Sequence, residues 1–190
     1  MSVAKLLPDI NGKVTKMEPI KRIYVEKKTP FAIEAESLFF DLRENLGIQN
    51  LTGVRMLNRY DISGLTAAEY NTARKTIFSE PPLDWVYDEE VQIEDDETMI
   101  TVEYLPGQYD QRADSAAQCI QIITLKNRPL IAAARVVILK GSLSPHEQGK
   151  IKNWLINPVD SREASPEKPK TLRRDFEVPV QVEMLTGFTH

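Results

Sequence analysis

Along residues 100–104 apolar and polar positions alternate: Ile100, Val102 and Tyr104 share one face, Thr101 and Glu103 the other. That period of two predicts a strand. Pro106-Gly107 breaks it, and the period then lengthens, with Ala113, Ala116, Ala117, Ile120 and Ile123 recurring at helical spacing. Asp110 is the expected N-cap, because its carboxylate can accept from the first free backbone N–H groups of that helix.

The same alternation of periods runs through the rest of the chain. Residues 20–27 are rich in β-branched and aromatic side chains and predict a first strand. Thr29 is read as a cap with Pro30 in the first helical position, followed by Phe31, Ala35, Leu38, Phe39, Leu42 and Leu46 at helical spacing, and Gly47 as the stop. Residues 51–63 predict a second strand, with Val54, Met56, Tyr60 and Ile62 on one face and Arg55, Arg59 and Asp61 on the other. Thr66 and Glu69 make a capping-box pattern opening a helix with Tyr70, Ala73 and Ile77, which Pro81-Pro82 is expected to end. Residues 83–87 predict a short third strand. Residues 88–97 hold seven acids and no base, which reads as an exposed connector. Residues 130–139 form a nearly continuous apolar run, suited to a strand buried on both faces. Ser144 and Glu147 repeat the capping box, and Ile151, Trp154 and Leu155 supply that helix with a core stripe up to Pro158.

These elements come twice in the same order. Val25-Glu26 answers Val102-Glu103, Gly64 answers Gly141, Thr66 and Glu69 answer Ser144 and Glu147, and Pro82 answers Pro158, at an offset near 77 residues. The expected fold class is α+β: two tandem β-α-β-α-β modules packed as a pseudo-dimer, with sheets and helices in separate layers. Alternating strands and helices also suit a doubly wound parallel sheet, but no Gly-rich strand-to-helix turn supports that. The expected division is a leader over 1–18, a first repeat with its acidic connector over 19–97, a second repeat over 98–164, and a Pro- and Lys-rich linker over 165–190, in which 178–182 suit a last strand.

Composition narrows the function. The chain has 190 residues, 42% hydrophobic and 27% charged, as in a soluble globular protein. A net charge of −4 argues against a nucleic-acid partner held by a global basic field. No apolar run is long enough for a membrane span, and the start lacks the pattern of a signal peptide. The single Cys119 excludes an intrachain disulfide and a multi-cysteine metal site, and fits a reducing, cytoplasmic setting.

Little conventional chemistry is legible. No phosphate-cradling glycine loop is present. His146 falls in the first turn of a helix and reads as solvated, and His190 is the last residue given. Cys119, beside the apolar stripe with no histidine near it in sequence, reads as a buried, inert thiol. The acidic run 88–97 lacks the glycine and ligand spacing of a calcium loop, so no metal site is expected. The cluster that invites a role is Gln108, Asp110, Gln111, Arg112, Asp114 and Ser115, six hydrogen-bonding side chains at one helix start. Capping plus i,i+4 pairing accounts for part of it. Docking, or the lining of a polar passage, accounts for the rest, and two carboxylates there disfavour a bound phosphate.

At this cluster the sequence becomes familiar. EYLPGQYDQRADSAAQCIQ, together with IKNWLINPVDSREAS and YVEKKTPFAIEAESLFFDLRENLGI, resembles the N-terminal region of phosphoribosylformylglycinamidine synthase in its long single-chain form. The resemblance covers residues 20–190, with the three stretches in family order and spacing. It implies an N-terminal domain similar to a fused dimer of the small subunit used elsewhere in the family. It implies a part in glutamine- and ATP-dependent amidation of formylglycinamide ribonucleotide in purine biosynthesis, with ATP and Mg bound by the rest of the enzyme and no cofactor in this chain. The ATP-grasping synthetase core and the glutaminase cysteine motif are absent from these residues, so no catalytic residue carries over and the chain alone is expected to be inactive. The implied role is to bridge the synthetase and glutaminase domains for ammonia transfer. A homodimer of the isolated domain is compatible with such modules. The competing expectation is a free-standing small-molecule-binding or sensor domain of similar fold.

Overall fold

The structure, a computed structural model, describes residues 19–173 and, before them, the backbone of two short strands, β1 (Leu7–Pro8) and β2 (Val14–Thr15), paired antiparallel. The leader expected to be loose therefore contains one small ladder. The strand expected over 178–182 lies outside the described residues.

The first module runs β3 (Lys21–Lys27), α1 (Ile33–Glu44), β4 (Leu51–Ser63), α2 (Ala67–Thr76) and β5 (Asp84–Asp88). The second repeats it as β6 (Glu97–Tyr104), α3 (Gln111–Thr124), β7 (Leu130–Gly141), α4 (Pro145–Leu155) and β8 (Ser161–Glu163). Both have the same internal strand order, third–first–second. They join edge to edge through β4 and β7 into one antiparallel sheet of six strands, β5-β3-β4-β7-β6-β8. The fold is α+β as expected, and antiparallel throughout the sheet.

The β4–β7 register carries the symmetry. Val54 pairs with Leu139, Asn58 with Arg135, and Ile62 with Ile131. At the sequence offset of 77, Asn58 and Arg135 are each other's counterparts (135 − 58 = 77). A pseudo-twofold axis therefore passes through that pair.

The helices cover one face of the sheet. Ile23 and Val25 of β3 with Tyr60 and Ile62 of β4 meet α2 through Tyr70 and Ala73, and α3 through Ala116 and Ile120. In the symmetric half, Ile100, Val102, Val137 and Leu139 meet α1 through Leu42 and α4 through Ile151. Each cluster thus joins side chains of both modules, while α1 also lies against β4 and α3 against β7. Ile23, Ile62, Ile100 and Leu139 are at most 1% exposed. Each such side chain stabilises the fold by about 1.5–3 kcal/mol.

The opposite face carries Tyr24, Leu57, Val136 and Ile138, with Val91 of the acidic connector packed against them. Beside them lies a buried ion cluster. Arg22 binds Asp61 through two bonds, Nε to Oδ1 at 2.6 Å and Nη2 to Oδ2 at 2.8 Å. Arg59, also buried, stands 3.9 Å from the same carboxylate and 4.0 Å from Glu103. The chain after β8 crosses above. Arg59 donates to Ser165 O, and Arg22 donates to Pro166 O and Glu167 O. Residues 165–167, expected to be linker, are held down by the donors that the single Asp61 carboxylate leaves over.

Several expectations need correction. Thr29 and Pro30 lie in a turn, and α1 begins after Ala32 with no side-chain cap. Phe31 N donates to Lys28 O, so the chain turns once before the helix can start. Phe31, Ile123 and Trp154 are about half exposed instead of lying in the core. α2 stops at Thr76, before Pro81-Pro82 is reached. Ile77 N and Phe78 N both close on Ala73 O, and Ser79 Oγ donates to Arg74 O, so the last turn is finished without the prolines. The acidic run is not a set of repelling free charges. Asp88 pairs with Arg74, Glu89 with Lys168, Glu94 with Lys140 and Glu97 with Arg55. Within the long apolar run, only Val136–Leu139 form a continuous stretch buried on both faces.

Candidate functional site

Between α1 and α3, above the centre of the sheet, lies a cavity of about 1060 Å³. Its floor is β4 and β7, with Met56, Asn58 and Tyr60 facing Ala133 and Arg135. Glu34, Ser37, Leu38 and Asp41 of α1 line one wall, and Gln111, Arg112, Ser115 and Cys119 of α3 the other. Matching repeat positions lie on both sides: Glu34 and Gln111, Leu38 and Ser115, Met56 and Ala133. The cavity therefore straddles the pseudo-twofold axis, while its chemistry does not follow the symmetry. The α1 wall is acidic, and the α3 wall carries a guanidinium.

The structure divides the six-residue cluster. Asp110 is structural twice over. Its Oδ1 accepts from Ala113 N at 3.0 Å as the cap of α3, and its Oδ2 accepts from Ala133 N at 3.2 Å. The β6–β7 ladder ends at Val102 and Arg135, so Ala133 N lies beyond the last β6 partner and Asp110 takes its place. Asp114 turns away from the cavity to Arg128 and Tyr109 Oη. The i,i+4 pairing expected here, with Asp110 and Asp114 flanking Arg112, does not form, because both carboxylates are engaged elsewhere. Gln111, Arg112 and Ser115 line the cavity, and all three are exposed. Gln108 stands exposed in the turn, bonded through its backbone N to Leu105 O.

Cys119 is exposed and lines the cavity, not buried as expected. The core stripe of α3 is Ala113, Ala116, Ala117 and Ile120, which turns position 119 towards the opening. His146 is exposed in the first turn of α4, and His190 lies outside the described residues.

Two features of the site escaped sequence reading. Arg135 sits inside an apolar strand pattern, where its partner across the sheet is invisible without the register. Tyr60 is the other. Burial raises the pKa of its hydroxyl, and the nearby charge of Arg112 offsets part of that. Among the described residues, neither Arg112 nor Arg135 has a carboxylate oxygen within 4.0 Å. The lining carboxylates are largely engaged. Asp41 accepts from Asn45, Asp160 from Asn157, and Glu103 from Arg162.

No protein-family model matches the chain, and no curated protein matches it either. Among the described residues, no helix is long and apolar enough to cross a membrane, and no group of three or more His, Cys, Asp or Glu side chains gathers as a metal site.

Proposed function

We propose that this chain is a non-catalytic assembly and coupling domain of a phosphoribosylformylglycinamidine synthase, working in the cytoplasm. Its partners would be the synthetase and glutaminase domains of that enzyme, which bind the ATP and Mg of the reaction. The observation that supports this most is the doubling of one β-α-β-α-β module about an axis at Asn58 and Arg135. A fused dimer of a small subunit is what the resemblance of the three sequence stretches implies, and fusion through a shared sheet is one way to build it. The corner formed by Gln108 and Gln111 supports docking. Both are exposed, and neither side chain makes a hydrogen bond among the described residues, so the fold leaves them available to a neighbour.

The test is turnover by the purified chain with glutamine, ATP and the ribonucleotide. The expected result is none, with turnover restored only when synthetase and glutaminase are supplied. Robust turnover by the chain alone contradicts the proposal. The alternative, a free-standing small-molecule-binding domain, draws on the cavity. A reading frame that lacks ATP-binding and glutaminase segments would favour it.

A further inference from the structure

The geometry points to a binding site for a small-molecule oxyanion, a phosphate or carboxylate group, between Arg112 and Arg135. The two guanidinium groups line one cavity from different elements. Arg135 rises from the floor opposite Asn58, and Arg112 acts on Tyr60. Asn58 and Tyr60 lie two residues apart on the same face of β4, a separation of about 7 Å at the rise of a strand. Asp110 Oδ2 accepts from Ala133 N, which sets the start of α3 beside β7 two residues from Arg135. Flexible arginine side chains on these two elements can close on a single anion, each presenting the planar fork that suits a carboxylate or phosphate.

Glu34, Asp41, Glu103, Asp110 and Asp160 also line the cavity, but among the described residues none of them comes within 4.0 Å of either guanidinium, so an external anion has two unpaired forks to meet. The two carboxylates nearest Arg112 in sequence are both engaged: Asp110 uses its two oxygens on backbone N–H groups, and Asp114 pairs with Arg128. On the far wall, Glu34 and Asp41 repel an anion and so confine it to the α3 side. The cavity slightly exceeds the usual range for small-molecule sites, about 300–1,000 Å³. Its floor and sides offer Met56, Leu38 and Ala116 to the body of a ligand. This site stands on the chain's own residues and holds whether or not the domain belongs to a synthase.

The experiment is titration of the isotopically labelled chain, over residues 1–190, with inorganic phosphate, glycerol 2-phosphate and glutarate, followed by NMR. The expected result is saturable one-to-one binding of at least one of them, with backbone shifts centred on Asn58, Tyr60 and Ala133. Arg135→Gln and Arg112→Gln should each weaken it about ten-fold or more, as the loss of a charge-assisted bond does. Arg135→Lys should recover part of the affinity, since it keeps the charge without the fork. Saturation by the phosphates alone, by glutarate alone or by both identifies which oxyanion is read. Failure of all three to saturate overturns the inference. So does binding that both glutamine variants retain in full, or a chain that ignores the small molecules and binds only an acidic peptide.

Discussion

Asn58 on β4 lies directly opposite Arg135 on β7, and each is the other's counterpart in the repeat. In a true homodimer a residue on the axis would face its own copy. Here the two positions differ, so the two halves share a backbone plan while their centre has acquired different chemistry. The same holds for the walls above, Glu34 against Gln111 and Leu38 against Ser115.

A shared sheet makes the halves unfold together. Ile23 and Ile100 are counterparts, and both are fully buried. Ile23→Ala and Ile100→Ala should each cost about 2–5 kcal/mol. Trp85 reports on the first module and Trp154 on the second. In urea unfolding of Trp85→Phe and Trp154→Phe backgrounds, either alanine variant should shift both reporters to the same midpoint. Two separate midpoints would mean that the modules are independent.

Removing Asp61 leaves Arg22 and Arg59 buried without their carboxylate. Burial alone would lower the Arg22 pKa, and the hydrogen bond and charge of Asp61 reverse this and raise it. For Arg59, burial and the neighbouring Arg22 win, and its pKa is lowered. Asp61→Ala should therefore destabilise by about 3–5 kcal/mol. The exposed pair of Arg162 and Glu103 is the contrast, and Arg162→Ala should cost under about 1 kcal/mol. Denaturant midpoints check both, and equal losses would contradict the assignment.

Asp110 serves a helix and a sheet at once. Loss of the cap costs about 1 kcal/mol. Leaving Ala133 N without its acceptor adds about 1–3 kcal/mol. Asp110→Ala should thus cost about 2–4 kcal/mol, and Asp110→Asn, which keeps an acceptor, distinctly less. A loss no larger than that of an ordinary cap would remove the sheet contact from the account.

The parts legible in the sequence were those set by short-range pattern. Both capping boxes form in full, at Thr66 with Glu69 and at Ser144 with Glu147. The alternation over 51–63 predicted the whole of β4 and its two faces. The failures came where distant partners decide. Thr29-Pro30 looks like a helix start until the turn closed by Phe31 N intervenes. Residues 165–167 look like linker until Arg22 and Arg59 supply donors from more than a hundred positions away. In the candidate site, the cluster at 108–115 was visible, but the arginine on the cavity floor, Arg135, was hidden in a hydrophobic run.

Glu69 makes stability depend on acid. Hydrogen bonds from Lys126, then from the backbone and hydroxyl of Thr66, lower its pKa to about 2. The unfolded value is about 4.3. A depressed folded pKa means that this contribution is complete above the unfolded value and is lost as the pH falls towards the folded one. Thermal midpoints should therefore fall between about pH 4.5 and 2, and fall less steeply in Glu69→Gln, which keeps the capping geometry without the charge. Glu94 and Glu147 are also lowered, by Lys140 and by Ser144, so some slope should remain. Parallel profiles for the parent and Glu69→Gln would contradict this.

The central claim is coupling, and the Gln108 and Gln111 side chains test it cleanly because the fold makes no use of them. In a synthase that carries this domain, as proposed, the double variant Gln108→Ala/Gln111→Ala should fold with the parent's thermal midpoint. The measurement is the ratio of glutamine-dependent to ammonia-dependent rates. The account predicts that this ratio falls several-fold while the ammonia-dependent rate holds. An unchanged ratio with unchanged rates would contradict a docking role for this corner of the domain.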